Sequence, residues 1–237
     1  MHTAAQAKRA LGDCRDPNRT GSLARYFKTG PGEYGEGDKF LGLTVPQTRE
    51  LSKKFQDLAP DQIQILVEDE YHEVRQLALF VLVLQFKTSK EAARRKKIFD
   101  FYLKIARQGH VNNWDLVDAT APFIGGYLVE TENVEVLREL AESPDLWLNR
   151  ISVMLTFAFL RAGIAEPTLW MADYHLAHEH DLMHKAVGWS LREMGKSHHK
   201  ALVSFLERNS AIMPRTMLRY AIERFPEAER KVWLAKR

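Results

Sequence analysis

The stretch Val74-Arg75-Gln76-Leu77-Ala78-Leu79-Phe80-Val81-Leu82-Val83-Leu84 decides the fold class. Its apolar residues Val74, Leu77, Ala78, Phe80, Val81 and Leu84 recur at the spacing that gathers side chains on a helix face, not at the strict alternation of a half-buried strand. Almost every segment after Thr44 repeats that spacing, so the chain is predicted to be all-α. Start signals support this reading: Thr44-Val45-Pro46 sets a capping hydroxyl before a proline in the first turn, and Ser143-Pro144-Asp145 and Met213-Pro214 mark later starts. Stop signals stand at Gly125-Gly126, Gly163 and Gly195.

Four predicted helices share one pattern, a basic residue leading an apolar stripe: Arg75, Arg150, Lys185 and Arg219. The last three are separated by 35 and 34 residues, and the 75-residue gap between Arg75 and Arg150 leaves room for one more unit around Trp114 and Asp115. A period of one helix pair is the mark of HEAT-like (ARM-type) α-solenoids, whose usual repeat is slightly longer at ~40 residues. The fold expected is therefore a curved α-solenoid forming a single domain over residues 1–237. One basic side chain per repeat on a concave surface would follow the evenly spaced phosphates of a duplex. Pairing of those bases with the preceding helix is the competing account.

Composition narrows the function classes. With 45% apolar residues the chain can build a substantial core. Its longest apolar run, Leu77 to Leu84, is far short of the ~18 residues a membrane helix needs, so no membrane association is expected. The N-terminal stretch has no apolar signal core and Cys14 is the only cysteine, which together suggest a cytoplasmic protein. A net charge of +3 permits nucleic-acid binding without requiring it. From Lys87 to Lys97 six bases face one acid, a positive field expected at one helix start, for which a solvated helix face is the simpler account.

Two other features look chemical and carry less. The run Gly30 to Gly42 lacks the lysine and hydroxyl residue of a phosphate-binding loop and follows no strand, so it reads as a loop or small hairpin before the helix opening at Pro46. Histidines 175, 178, 180 and 184 suggest metal, but Leu182 stands where a His-Glu-x-x-His signature starting at His178 needs histidine. No metal or cofactor is expected.

The most unusual segment is Asn112-Asn113-Trp114-Asp115-Leu116-Val117-Asp118. Trp114 and Asp118 stand four apart and share a helix face, where an aromatic ring and a carboxylate together suit a cationic intermediate. A second tryptophan, Trp189, lies beside Gly188, which would let another surface approach closely. Either tryptophan could equally fill a core.

Taken in order, five stretches resemble the AlkD family of DNA glycosylases: Ala24 to Lys28, Phe40 to Pro46 with Arg49, Trp114 to Asp118, Trp147 to Arg150, and Lys185 to Glu193. The likeness runs from about Leu23 to Phe225, and the ordered set is far more specific than any one member. It implies a stack of HEAT-like helix pairs acting as a monomer on double-stranded DNA that contains alkylated purines. The implied reaction is excision of cationic N3-alkyladenine and N7-alkylguanine without the base flipping that most enzymes acting on a base require. Asp118 would stabilise the oxocarbenium-like sugar and position water, with Trp114 and Trp189 against the deoxyribose. Arg150 would hold a phosphate, and Tyr26, Thr44, Arg49, Lys185 and Arg192 would lie near the DNA. The sequence departs from the family pattern at the long Gly30 to Gly42 loop and at Asn113, where an aromatic residue would be expected. The alternatives are a non-catalytic HEAT-repeat binder of damaged or branched DNA, favoured by a lost carboxylate, and a protein-binding scaffold, favoured by an apolar or acidic concave face.

Overall fold

The computed structural model describes residues 1–236. Its regular structure is helical, and among the described residues the one extended pairing is a parallel bridge between Lys39 and Tyr71. The chain divides into two compact units, Met1–Thr120 and Ala121–Arg237.

The first unit contains α1 (Ala4–Asp13), α2 (Pro17–Tyr26), α3 (Val45–Lys54), α4 (Pro60–Val67), α5 (His72–Thr88), α6 (Ala92–Arg107) and the single turn α7 (Trp114–Asp118). The stretch that decided the fold class lies in α5. A helix that is apolar all round must be enclosed, and α1, α3, α4 and α6 all pack on α5, leaving Leu77, Ala78, Leu79 and Val81 fully buried. The leucine and valine side chains each contribute about 1.5–3 kcal/mol relative to exposure. The start expected at Thr44 forms a reciprocal cap: the Thr44 hydroxyl accepts the Gln47 N–H, and Gln47 Oε1 accepts the Thr44 N–H at 2.8 Å.

The Gly30 to Gly42 run is a loop, and no hairpin forms there. Successive turns use its backbone, with the N–H groups of Glu33, Glu36 and Asp38 bonded to Gly30, Glu33 and Gly35. The carboxylates of Glu33 and Glu36 take the N–H groups of Gly30 and Gly32, so these donors serve the loop itself rather than a strand partner. The basic run also differs from expectation. Lys87 closes α5, whereas Arg94, Arg95, Lys96 and Lys97 lie in α6, so the charge spans a helix end and the next helix.

The second unit contains α8 (Ala121–Ile124), α9 (Gly126–Thr131), α10 (Glu135–Ala141), α11 (Leu146–Arg161), α12 (Glu166–Tyr174), α13 (Asp181–Met194), α14 (His199–Asn209), α15 (Arg215–Ala221) and α16 (Glu227–Ala235). Helices α11, α13 and α15 pack on one another in order, and α10 packs on α12 alongside them. Two such layers are what stacked helix pairs produce. Arg150, Lys185 and Arg219 sit on the three helices of the first layer, which is the origin of the 35- and 34-residue spacing. The expected close approach at Gly188 is made by α15: a Cβ there would lie 2.5 Å from the Met217 carbonyl oxygen.

Candidate active site

One turn of helix is unstable alone because its nucleus is not repaid by further hydrogen bonds, so α7 exists through its anchors. Asn113 caps it, its Oδ1 accepting the Trp114 N–H at 2.9 Å. An aromatic side chain could not supply that acceptor, which accounts for a buried Asn113 at this position. Leu116 and Val117 are fully buried, leaving Trp114 and Asp118 half-buried on the other side. The Trp114 ring stacks on Phe27 at 5.4 Å between centroids and meets Tyr26 edge-on at 5.8 Å.

These residues line a cleft of about 520 Å³ in the first unit. It brings together five of the residues singled out in the sequence: Tyr26, Thr44, Arg49, Trp114 and Asp118. Tyr26 is 62% exposed, so its ring is open to a ligand in the cleft. Arg49 lies over the Phe80 ring at 5.2 Å, and Phe27 and Phe40 complete an aromatic wall. Beneath α7, Tyr102 is fully buried with its hydroxyl 3.0 Å from Thr120 Oγ1. Burial pushes its pKa up, and the negative charge of Asp118 adds to the effect. The cleft therefore offers π faces, the carboxylate of Asp118 and the guanidinium groups of Arg19 and Arg49, a surface suited to a flat positive group beside an anionic backbone.

Its floor is a buried ionic network. His72 lies 2.7 Å from Asp38 through Nδ1 and 2.9 Å from Asp115 through Nε2. Arg75 donates to the other Asp38 oxygen at 2.6 Å and to the Asp69 carbonyl at 3.0 Å, and Gln76 donates to Asp115 at 2.8 Å. Burial disfavours the charged ring, but Asp115 and Asp38 outweigh it and raise the His72 pKa to about 9. Burial likewise opposes the Asp38 charge, and His72 and Arg75 overcome it, holding that carboxyl below its ordinary range. Arg75, expected on a basic surface, is thus buried in an internal ion pair, because an unpaired buried Asp38 would be costly.

In the second unit, Trp189 is half-buried and meets Phe157 edge-on at 4.9 Å. Arg150 is 4% exposed, and one of its guanidinium nitrogens donates to the Leu182 carbonyl. Lys185 pairs with Asp181 at 2.7 Å. Arg192, on the same helix as Lys185 and Trp189, pairs with Glu193 and Glu223 beside a cleft that it lines with Lys196 and Arg224. The four histidines join loop to helix. His178 Nδ1 accepts the His180 N–H, His180 Nδ1 accepts the Leu182 N–H, and His184 Nε2 bonds the His178 carbonyl. His175 sits 3.2 Å from Ser152 Oγ in the interior.

Residues 7–225 match the family model described as DNA alkylation repair enzyme. The chain belongs to that family. The likeness read from the five stretches holds at this level. A solved structure described as a predicted DNA alkylation repair enzyme from Enterococcus faecalis superposes with a TM-score of 0.71 at 15% identity, over 90% of this chain and 97% of that one. At that identity the likeness establishes the shared helical fold. No curated protein matches.

In this DNA alkylation repair family member, sequence reasoning missed the floor of the cleft. Asp38, His72, Arg75 and Asp115 come from three separated segments, and each residue taken alone looks ordinary. The one local hint is Asp115 itself, a second carboxylate between Trp114 and Asp118. Among the described residues no helix is long and apolar enough to cross a membrane.

Proposed function

We propose that the protein is an AlkD-type DNA glycosylase that hydrolyses the N-glycosidic bond of cationic N3-alkyladenine and N7-alkylguanine in duplex DNA, leaving an abasic site. The observation that carries this reading is the pairing of Trp114 with Asp118 in an aromatic cleft of a DNA alkylation repair family member. An alkylated purine is already a cation and leaves as a neutral base, taking the electron pair of the bond between C1′ and N9. Positive charge then develops on the deoxyribose. A nearby carboxylate stabilises that charge in a partly dry site, and the indole face attracts it. Water adds to C1′ and loses its proton, with Asp118 positioning it. No general acid is needed, so one carboxylate suffices and neutral lesions with strong glycosidic bonds are poor substrates.

Tyr26, Thr44 and Arg49 then contact DNA near the lesion. In the second unit the same reading assigns Arg150, Lys185 and Arg192 to phosphates and Trp189 to deoxyribose. The protein acts as a monomer in the cytoplasm. The test is release of free 3-methyladenine and 7-methylguanine from methylated duplex DNA by the unmodified chain and by Asp118→Asn. Release by the former and its loss in the latter, with duplex affinity retained, support the proposal. Duplex binding without release by either protein identifies a non-catalytic binder of damaged DNA instead.

A further inference from the structure

We infer that His72 is an imidazolium clamped between Asp38 and Asp115, and that through Asp115 it is the positioning residue that orients α7, and with it Trp114 and Asp118, for the reaction proposed above. The inference rests on that reading for its catalytic consequence and on geometry for the clamp itself.

Both ring nitrogens of His72 face carboxylate oxygens, Asp38 Oδ2 at 2.7 Å and Asp115 Oδ2 at 2.9 Å. An ionised carboxylate only accepts, so both nitrogens must carry hydrogen, which makes the ring a cation. Its aromatic neighbours support that state. Phe27 and Phe40 lie 5.0 and 4.9 Å away between centroids and 5.2 Å from each other, offering π density and no competing hydrogen bond. With Arg75 on the second Asp38 oxygen, two cations meet two anions and the buried set closes neutral.

The position of Asp115 gives the clamp its reach. It lies in α7 between Trp114 and Asp118, one turn of helix too short to orient itself. Asn113 holds the start of that turn, and His72 and Gln76 hold Asp115 from α5. A neutral ring would lose one of its two carboxylate bonds. It would also leave Asp115 and Asp118 as two carboxylates in one cleft without the cation now paired with Asp115. Other charged groups near the ring are already engaged or stand across the cleft. Glu73 takes backbone N–H groups of the preceding loop, Asp69 pairs with Lys8, and Lys39 pairs with Glu70. Arg19 and Arg49 line the facing wall, and Tyr102 lies beneath Asp118.

The experiment uses the full chain with ¹⁵N-labelled histidine and tryptophan, alongside His72→Gln and the isosteric Asp115→Asn. Both His72 nitrogens are expected at imidazolium shifts through neutral pH, titrating near 9, and in Asp115→Asn the titration falls toward the ordinary value of about 6.5. The Trp114 indole resonance shifts in both variants. Release of 3-methyladenine from methylated duplex DNA falls roughly 10- to 100-fold in His72→Gln at neutral pH, with duplex affinity unchanged. The alkaline limb of its pH profile, near 9, disappears. A merely structural role would lower the melting temperature and leave that limb in place. A neutral ring at pH 7, or an unmoved alkaline limb in both variants, overturns the inference. Absence of release from the unmodified chain overturns the glycosylase reading alone, since the ring and indole signals report the clamp without turnover.

Discussion

Glu73 on α5 accepts the Gly42 N–H at 2.9 Å, and the same carboxylate takes the N–H groups of Leu41 at 2.8 Å and Leu43 at 3.2 Å. A buried charge is thereby satisfied by three donors of the segment that delivers Thr44 to the start of α3. In Glu73→Gln one carboxylate oxygen becomes an NH₂ group facing donors. A loss of about 2–3 kcal/mol is expected for the groups left unsatisfied, read as a lower urea midpoint. An unchanged midpoint would show that the loop holds itself.

Gly42 meets a second constraint. Its φ is +97°, and a Cβ would come within 2.0 Å of the Asp16 carbonyl oxygen at the start of α2. Gly42→Ala is expected to cost more than about 2 kcal/mol, from strain and from displacing that backbone. Gly21, in the interior of α2, has open space around its Cβ position. Gly21→Ala should stabilise the chain by up to about 1 kcal/mol. Equal effects of the two substitutions in thermal unfolding would contradict this account.

The two units respond to pH in opposite directions. Burial lowers the pKa of His175, to about 4 with repulsion from His178 added, and burial also lowers His178 and His180. The unfolded chain takes up these protons near 6.5 and the folded chain only at lower pH. Their stabilisation is full above 6.5 and is lost as pH falls toward 4, because a protonated ring cannot accept the His180 and Leu182 N–H bonds. His72 behaves in reverse. Its folded value of about 9 exceeds the ordinary 6.5, so its contribution is full below 6.5 and is lost as pH rises through 9. The Asp38 contribution persists on the acid side until pH falls below the ordinary 3.8. Hydrogen exchange, expressed as protection factors, should show α11 to α13 loosening at about pH 5 and α7 at about pH 9.5. Uniform protection across that range would refute both shifts.

Arg49 and Arg150 separate binding from stability. Arg49 is exposed at the cleft, and Arg49→Ala should weaken duplex binding and lower the slope of affinity against salt by about one phosphate contact, with the melting temperature unchanged. Arg150 is buried and donates to the Leu182 carbonyl. Arg150→Ala should lower the melting temperature as well as the affinity. If salt slope and affinity are untouched in both variants, neither arginine contacts phosphate.

What the sequence by itself determined was everything carried by neighbours along the chain. The helical class follows from apolar spacing within the 74–84 stretch. The start of α3 follows from Thr44 and Pro46, and the stacking of α11, α13 and α15 is announced by the 35- and 34-residue spacing of Arg150, Lys185 and Arg219. These are i to i+3, i to i+4 and repeat-length relations, and a linear pattern records them. Trp114 and Asp118 were legible for the same reason, four residues apart on one turn. Only the tertiary structure decided that Arg75 turns inward to Asp38, and that His72 lies between carboxylates 34 and 43 residues away. It also decided that Tyr26, Arg49 and Trp114 share one cleft. Such pairings depend on which buried charge packing leaves beside which other. That is set by how α5, α7 and the Gly30 to Gly42 loop come together, because a charge removed from water must find its partner in space rather than along the chain.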